Sequence, residues 1–343
     1  MINLRSDTQT LPTESMLRAI TSAPLGDDVF GEDPTVRKLE DMAARMLGKE
    51  AGLLVVSGTM GNLVSLMAHS NRGDEVILDP DSHIFYHETG SLAAIAGLMP
   101  MPVRSREGML DPDDVAAAIR SPNVHYPRPR ILCLENTHNR SGGRILPLDL
   151  HKRLCAIAHE RGLKVHLDGA RIFNAQVASG IPASEWAREA DSVMFCLSKG
   201  LSCPIGSVVV GDAEFIERAR RFRKQIGGGM RQAGVIAACG IVALETMIDR
   251  LAEDHINAKL LAQGLADIAG LKVDPDKVET NMVYAEHSAT GLSTEELLTR
   301  LKEQGVLASG SPPNRIRFVT HRHIDRSAVE EAICRIKRAV EGA

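Results

Sequence analysis

A lysine stands at the end of an apolar run, between a serine and a glycine, in the segment 195–200 (FCLSKG). Removing an ammonium group from water is costly, so a lysine at a buried edge indicates an amine that becomes neutral or covalently bound. Schiff-base chemistry requires an amine of this kind. For a single lysine such as Lys199, an exposed position at a strand end is the simpler interpretation. The choice between an exposed lysine and a Schiff-base lysine therefore depends on the other polar residues.

Three more polar groups follow apolar runs. The turn 57–62 (SGTMGN) can present backbone N–H groups and the positive end of a helix to a phosphate, although Gly and Ser suit any tight turn. Asp168 either caps the next helix or takes part in chemistry, and Arg171 either balances its charge or holds a substrate carboxylate. His83 follows a run and a proline-containing turn, but a lone histidine is more often structural than catalytic.

Together these groups match the requirements of pyridoxal phosphate. That cofactor needs an anchor for its phosphate, an acid at its pyridine nitrogen, a cover for its ring and an amine for its aldehyde. The turn 57–62 matches neither GxGxxG nor GxxxxGK, which disfavours a dinucleotide or a nucleoside triphosphate. An NAD-dependent dehydrogenase and a non-catalytic α/β metabolite-binding protein remain as alternatives.

The elements that position these groups are predicted from periodicity. Between about residues 50 and 210, short apolar runs alternate with helical patterns, which predicts a mainly parallel sheet of the α/β class. The predicted strands are 52–56, 75–78, 130–134, 164–167, 192–196 and 207–210, with helices at 35–47 and 151–161. In such a sheet the ligand lies beyond the carboxyl ends of the strands, where the polar groups above are expected to meet.

The pattern changes in the last quarter of the chain. A long helical stretch at 232–265 is followed by predicted strands at 280–285 and 315–320. Two capping boxes, Ser293 with Glu296 and Ser327 with Glu330, each predict the start of a helix. We therefore expect a large domain at 1–250 and a smaller α+β domain at 251–343.

Composition excludes several classes of function. The net charge of -4 and the charged fraction of 24% offer no basic surface for nucleic acid, and no uncharged run reaches the roughly 20 residues of a membrane span. The start of the chain lacks the apolar core of a signal peptide, which predicts a cytoplasmic protein. The six cysteines form no CxxC pair, and His151 and His159 are eight residues apart, so no metal site is predicted.

The chain resembles the threonine aldolases over nearly its whole length. These are fold-type I pyridoxal-phosphate enzymes close to the β-eliminating lyases, with a mainly parallel mixed sheet in the large domain. Eight ordered stretches carry the resemblance: 4–8 (LRSDT), 26–34 (GDDVFGEDP), 57–62 (SGTMGN), 134–139 (LENTHN), 166–171 (HLDGAR), 197–200 (LSKG), 227–232 (GGGMRQ) and 317–321 (RFVTH). Eight ordered matches are specific, whereas any one of them is not.

The resemblance implies a role for individual residues around the cofactor. Lys199 is expected to form the Schiff base and Asp168 to partner the pyridine nitrogen. Gly58 and Thr59 are expected to bind the phosphate, and His83 to stack on the ring. Ser6, Arg171 and Arg317 are expected to bind the substrate carboxylate, and Arg171 is expected to contact the cofactor as well. Arg231 is expected to reach the cofactor phosphate of a neighbouring subunit, which implies a homodimer or homotetramer.

The activity implied by the resemblance is retro-aldol cleavage of L-threonine or L-allo-threonine to glycine and acetaldehyde. His83 or His125, directly or through a water, is the expected base for the β-hydroxyl proton. β-Elimination, or another pyridoxal-dependent reaction on the same scaffold, is the alternative.

Three features depart from the usual pattern. Phe30 stands where the family often has tyrosine. His87 lies where other members differ in size and polarity, at the pocket for the aldehyde part of the substrate. The segment 137–144 is longer than the usual form in the family, which predicts a surface loop.

Overall fold

A computed structural model describes residues 1–342. The strands are β1 (Ile2–Asn3), β2 (Ala51–Val55), β3 (Glu75–Leu78), β4 (Met99–Pro102), β5 (Ser105–Arg106), β6 (Met109–Leu110), β7 (Pro129–Glu135), β8 (Lys164–Asp168), β9 (Ser192–Cys196), β10 (Ser207–Gly211), β11 (Met282–Glu286), β12 (Val306–Leu307), β13 (Ser309–Ser311) and β14 (Arg315–Val319).

The α-helices are α1 (Glu14–Ser22), α2 (Pro34–Leu47), α3 (Gly58–His69), α4 (His83–Tyr86), α5 (Ser91–Ala94), α6 (Pro112–Ala118), α7 (Leu148–Glu160), α8 (Ile172–Ser179), α9 (Ala183–Glu189), α10 (Ala213–Gln225), α11 (Gly234–Thr246), α12 (Leu251–Ala266), α13 (Thr294–Glu303) and α14 (Arg326–Glu341). Short 3-10 helices lie at Asp7–Gln9, Asp28–Phe30, Asn139–Ser141, Pro275–Lys277 and Ser288–Thr290.

A seven-stranded sheet in the order β2-β10-β9-β8-β7-β3-β4 forms the centre of the molecule. Only β10 runs antiparallel to its neighbours, so the carboxyl ends of the other six strands meet at one edge. All six predicted strands are present, with each bound moved by no more than one residue. The prediction missed β4, whose sequence Met-Pro-Met-Pro gives no strand signal because proline is tolerated only at a sheet edge, where β4 lies.

Capping residues explain where the helices begin and end. Asp33 accepts the N–H groups of Thr35 and Val36 at the start of α2, and Gly48 ends that helix with φ 64°. The stretch 232–265, predicted as one helical stretch, forms two helices, α11 and α12. The prediction of a single helix was therefore wrong.

One of the two predicted capping boxes is present. Ser293 and Glu296 form the box that opens α13. The box at Ser327 and Glu330 was wrong, because the Asp325 carboxylate accepts the Ala328 N–H and starts α14 earlier.

The C-terminal part has a core of its own. The three-stranded sheet β11-β14-β13 packs with α12, α13 and α14. The N-terminal strand β1 pairs with β12, and Ile2 and Leu4 are buried in this second core. Residues 2–4 therefore pack against the C-terminal part, because β12 offers their backbone a pairing partner.

The segment 137–144 was expected at the surface, and that is wrong for residues 137–139, which are buried. The Asn139 N–H donates to Glu135 Oε1 at 2.8 Å, and His138 Nε2 lies 3.1 Å from Asp79 Oδ2. These buried polar partners hold the segment inward, against the edge where the strands end.

Among residues 1–342, no helix combines the length and the apolar character needed to cross a bilayer. Five cysteines are buried, as predicted for residues in apolar runs, while Cys334 is exposed.

Candidate active site

The N-terminus of α3 lies at the carboxyl edge of the sheet. The Ser57 hydroxyl caps the helix by accepting the Met60 N–H at 3.2 Å. Within the described chain, the N–H groups of Gly58 and Thr59 have no acceptor, as expected for the first turn of a helix. A Cβ on Gly58 would lie 2.9 Å from Cys196 Sγ, so only glycine lets the helix approach the sheet this closely. The two free amides and the helix dipole form an anion-binding position.

Lys199 lies three residues beyond β9 and is half-buried. Its carbonyl oxygen accepts the Thr10 hydroxyl at 2.8 Å and the Ser202 N–H at 2.9 Å, which fixes the backbone of the turn. Its side-chain amine forms no ion pair or hydrogen bond with any residue in 1–342. A free amine therefore stands at the edge where the parallel strands end.

Asp168 is the last residue of β8 and is buried. Its Oδ1 accepts the Ala170 N–H at 3.0 Å, and its Oδ2 accepts Asn62 Nδ2 at 2.9 Å. It does not cap α8, whose N-cap residue is Arg171. The helix-capping alternative is therefore wrong, and the two hydrogen bonds fix the carboxylate at the end of β8.

His83 begins α4 and contacts Glu88. Its Nδ1 lies 2.9 Å from Glu88 Oε1, and its backbone N–H donates to Glu135 Oε2 at 2.6 Å. Burial opposes protonation of the imidazole, but the hydrogen bond to Glu88 and the charges of Asp168 and Glu88 outweigh burial and raise the pKa of His83. The His87 ring lies 5.4 Å from the His83 ring.

His83, Glu88 and Asp168 each bring one potential ligand atom within 4.8 Å of the others. This is the spacing of a possible metal site, which the sequence did not predict. The Asn62 amide already donates to both carboxylates, and so occupies the space between them.

Arg171 is bound side-on by a residue that the sequence analysis missed. Its Nε and Nη2 each donate to the Asp7 carboxylate at 2.7 Å, and Asn281 Nδ2 lies 3.2 Å from the same carboxylate. Burial alone would raise the pKa of Asp7, but the charge and hydrogen bonds of Arg171 hold it well below its usual range. The Lys199 charge also lowers the pKa of Asp7.

Arg317 reaches the same region from β14 of the smaller sheet. Its Nη1 donates to Asn139 Oδ1 and its Nη2 to the Arg5 carbonyl oxygen, both at 3.1 Å. Ser6, the next residue, accepts the Thr8 N–H at 3.1 Å with its hydroxyl. In the described residues Arg317 has no acidic partner, so its positive charge is available to an anion.

Two predicted residues do not join this group within one chain. His125 is exposed and precedes β7, at the opposite edge of the sheet. That strand of 7 residues separates the edges by roughly 23 Å. Arg231 pairs with Asp27 at 2.9 Å and lies 6.0 Å from the centre of the Phe30 ring.

The residues at this edge fit pyridoxal phosphate. Two unpaired amides at a helix N-terminus suit a phosphate, a buried carboxylate suits a protonated pyridine nitrogen, and a free amine suits an aldehyde. The sequence located these groups because each lies at the end of a strand or in the turn that follows it. It gave no role to Asp7 or Asn62, although both lie in stretches that it singled out, and it did not single out Glu88.

Comparisons with known proteins agree with this chemistry. Residues 3–288 match the family described as beta-eliminating lyase. The chain is 46% identical to low-specificity L-threonine aldolase 1 of Arabidopsis thaliana, over 99% of this chain and 96% of that protein. It is 42% identical to the low specificity L-threonine aldolase of Escherichia coli K12, over 96% and 97% of the two chains. The structure of Leishmania major threonine aldolase superposes with a TM-score of 0.83 at 18% identity, covering 99% of this chain and all of that one, and confirms the predicted fold class.

Proposed function

Because the chain belongs to the threonine aldolases of the beta-eliminating lyase family, we propose that it cleaves L-threonine and L-allo-threonine to glycine and acetaldehyde with pyridoxal 5′-phosphate. The observation that carries the proposal is the meeting of a free Lys199 amine, a buried Asp168 carboxylate and the free amides of α3 at one edge. Related β-hydroxy-α-amino acids are expected substrates as well.

When bound, pyridoxal phosphate supplies an electron sink for the electrons of the Cα–Cβ bond. Gly58 and Thr59 would hold its phosphate, and Asp168 its pyridine nitrogen. His83 would cover the ring, and Lys199 would bind the aldehyde carbon. Each role is supported by the free donor or acceptor that the residue offers.

The substrate carboxylate is expected to bind between Ser6, Arg171 and Arg317. Asp7 takes Nε and Nη2 of Arg171, which leaves Nη1 for a ligand. Arg317 donates only to neutral oxygens, so a carboxylate gains a full charge interaction there. This clamp fixes the orientation of the Cα–Cβ bond toward the cofactor ring. Loss of either arginine should mainly raise KM.

His83 is the histidine of this chain that stands at the site and can take the β-hydroxyl proton, directly or through a water. His125 can act only on the site of a neighbouring subunit, because it lies at the far edge of its own sheet. His87, beside His83, would contact the part of the substrate released as aldehyde.

We propose a homodimer or homotetramer with shared sites. The exposed guanidinium of Arg231, close to the exposed Phe30, is available to a neighbouring chain and supports this assembly. The substrate is a small amino acid. The cytoplasmic location stays a prediction from the sequence, as do the two domain bounds and the absence of nucleic-acid and membrane partners.

The test measures acetaldehyde and glycine released from each of the four threonine stereoisomers by the wild type, Lys199→Ala and the exposed control Lys38→Ala. We expect cleavage of L-threonine and L-allo-threonine by the wild type and the control, and none by Lys199→Ala. Only the wild type and Lys38→Ala should carry a yellow chromophore that borohydride bleaches. 2-Oxobutanoate and ammonia as the products from threonine would instead favour β-elimination, and equal turnover by all three proteins would refute the role of Lys199.

A further inference from the structure

Asn62 links the two carboxylates of the site to a histidine in the core. Its Nδ2 donates to Asp168 Oδ2 at 2.9 Å and to Glu88 Oε1 at 2.8 Å. Its Oδ1 lies 3.0 Å from Nε2 of His166. Asn62 is on α3 and His166 is on β8, two residues before Asp168, and all four side chains are buried.

The contacts continue from His166 into the interior. His166 Nδ1 lies 2.8 Å from the Ser192 hydroxyl, and that hydroxyl lies 2.8 Å from Nε2 of His69. His69, the last residue of α3, stacks on Phe215 with ring centres 4.3 Å apart. We call the series Asn62, His166, Ser192 and His69 the buried relay.

Only one arrangement of protons satisfies the buried relay. Ionised carboxylates only accept hydrogen bonds, so Asn62 must turn its Nδ2 toward Asp168 and Glu88 and its Oδ1 toward His166. His166 must then carry its proton on Nε2 and accept the Ser192 hydroxyl at Nδ1. Ser192 accepts in turn from His69, so every donor points toward the two carboxylates.

The charge state of the two histidines agrees with this arrangement. Burial lowers the pKa of His166 to about 4, and burial together with the nearby His166 lowers that of His69 to about 3. Both rings are therefore neutral near pH 7, and each has one donor and one acceptor nitrogen.

We infer that Asn62 and His166 are positioning residues that hold the Asp168 carboxylate turned toward the pyridine nitrogen of the cofactor. Burial and the charge of Asp168 already raise the pKa of Glu88. Without the amide between them, the two carboxylates would repel each other, and Asp168 would lose the hydrogen bond that fixes its orientation. An Asp168 carboxylate that has turned away no longer stabilises a protonated pyridine ring. The inference rests on the proposed function, since it requires pyridoxal phosphate at this edge.

The test compares two ligands on the full-length protein freed of cofactor. One is pyridoxal 5′-phosphate, and the other is its 1-deaza analogue, which has carbon in place of the pyridine nitrogen. Their dissociation constants are measured for the wild type, Asn62→Ala and the control Asn257→Ala. Asn257 is a buried asparagine whose amide donates to the Ile324 carbonyl oxygen, away from the site.

The wild type and Asn257→Ala should bind the natural cofactor roughly tenfold or more tightly than the analogue, as for a hydrogen bond to a charged group. In Asn62→Ala this preference should fall close to one, because only the natural cofactor uses Asp168. Equal weakening of both ligands by Asn62→Ala would overturn the inference and leave the proposed function intact. Failure of the wild type to bind the natural cofactor would overturn both.

A second pair of variants covers the case in which Asn62→Ala does not fold. His166→Gln keeps an N–H near the position of Nε2, whereas His166→Leu removes it. We expect His166→Gln to keep most of the preference for the natural cofactor and His166→Leu to lose it. Equal preference in these two variants would contradict the role of His166.

Discussion

At His83, burial and hydrogen bonding act on the imidazole in opposite directions. Burial favours the neutral ring, while the contact with Glu88 and the nearby charge of Asp168 favour the protonated one and prevail; Lys199 opposes them weakly. A base must be neutral to accept a proton, so the contact with Glu88 orients His83 but lowers the fraction of it that can act at a given pH.

This opposition predicts the pH dependence of the Glu88→Gln variant. If His83 is the base, kcat/KM for L-threonine falls as the pH drops through its raised pKa. Glu88→Gln removes the charge that favours the protonated ring, so the acid limb of the profile should move to lower pH. The surface variant Glu185→Gln should leave the limb in place. An unmoved limb in Glu88→Gln would show that another group titrates.

At the scale of elements, the sequence was informative where a residue is tied to a strand end. Asp168 and Lys199 follow apolar runs, so periodicity alone brings them to one edge. Asp7, by contrast, meets Arg171 across 164 positions of sequence, and Asn62 meets Asp168 across 106. No local pattern encodes such contacts, because they depend on how separate elements pack.

The contacts of the N-terminal segment, residues 1–10, are likewise not encoded in a local sequence pattern. Its strand β1 pairs with β12, the Asp7 carboxylate binds Arg171, and the Thr10 hydroxyl binds the carbonyl of Lys199. Ten residues thus join the C-terminal part of the chain to the turn that holds Lys199. Sequence analysis assigned the segment to the large domain, since it contains no periodic run long enough to indicate a partner.

The Asp7 contact predicts a large loss of stability in Asp7→Ala. Removing one partner of a buried ion pair leaves the other charge uncompensated, which costs about 3–5 kcal/mol. Urea unfolding at pH 7 and fixed protein concentration should show this loss. The exposed pair of Asp113 and Arg153 provides the control, since Asp113→Ala should change stability by about 0.5 kcal/mol or less.

The sign of the pH dependence follows from the lowered pKa of Asp7. A carboxyl group whose pKa is lowered in the folded state stabilises the fold fully at pH values above its ordinary pKa of 3.8. It loses that contribution to the free energy of unfolding as the pH falls from 3.8 toward the lowered pKa. The difference between wild type and Asp7→Ala should therefore be complete at pH 7 and shrink only in strong acid. A variant within about 1 kcal/mol of the wild type at pH 7 would contradict the stabilising role of the pair.

At the scale of the whole molecule, the site combines residues from both parts of one chain, and we propose that a second chain completes it. Arg317 belongs to the smaller sheet, whereas Asn139, which it contacts, follows the large one. His125 and Arg231 are exposed, and the Arg231 guanidinium pairs with Asp27 of its own chain. If both serve the reaction, they serve the site of a neighbour.

Subunit mixing tests this arrangement. Lys199→Ala and Arg231→Ala should each be nearly inactive, but in a hybrid dimer one site combines Lys199 of one chain with Arg231 of the other and is intact. Random pairing of equal amounts should restore about one quarter of the wild-type acetaldehyde release, because half of the dimers are hybrids with one working site of two. Lys199→Ala mixed with Asp168→Ala is the control: both residues belong to the same site, so every hybrid site lacks one of them and no activity should return. Recovery in neither mixture would place Arg231 in the site of its own chain, and would leave its pairing with Asp27 as a contact within the subunit.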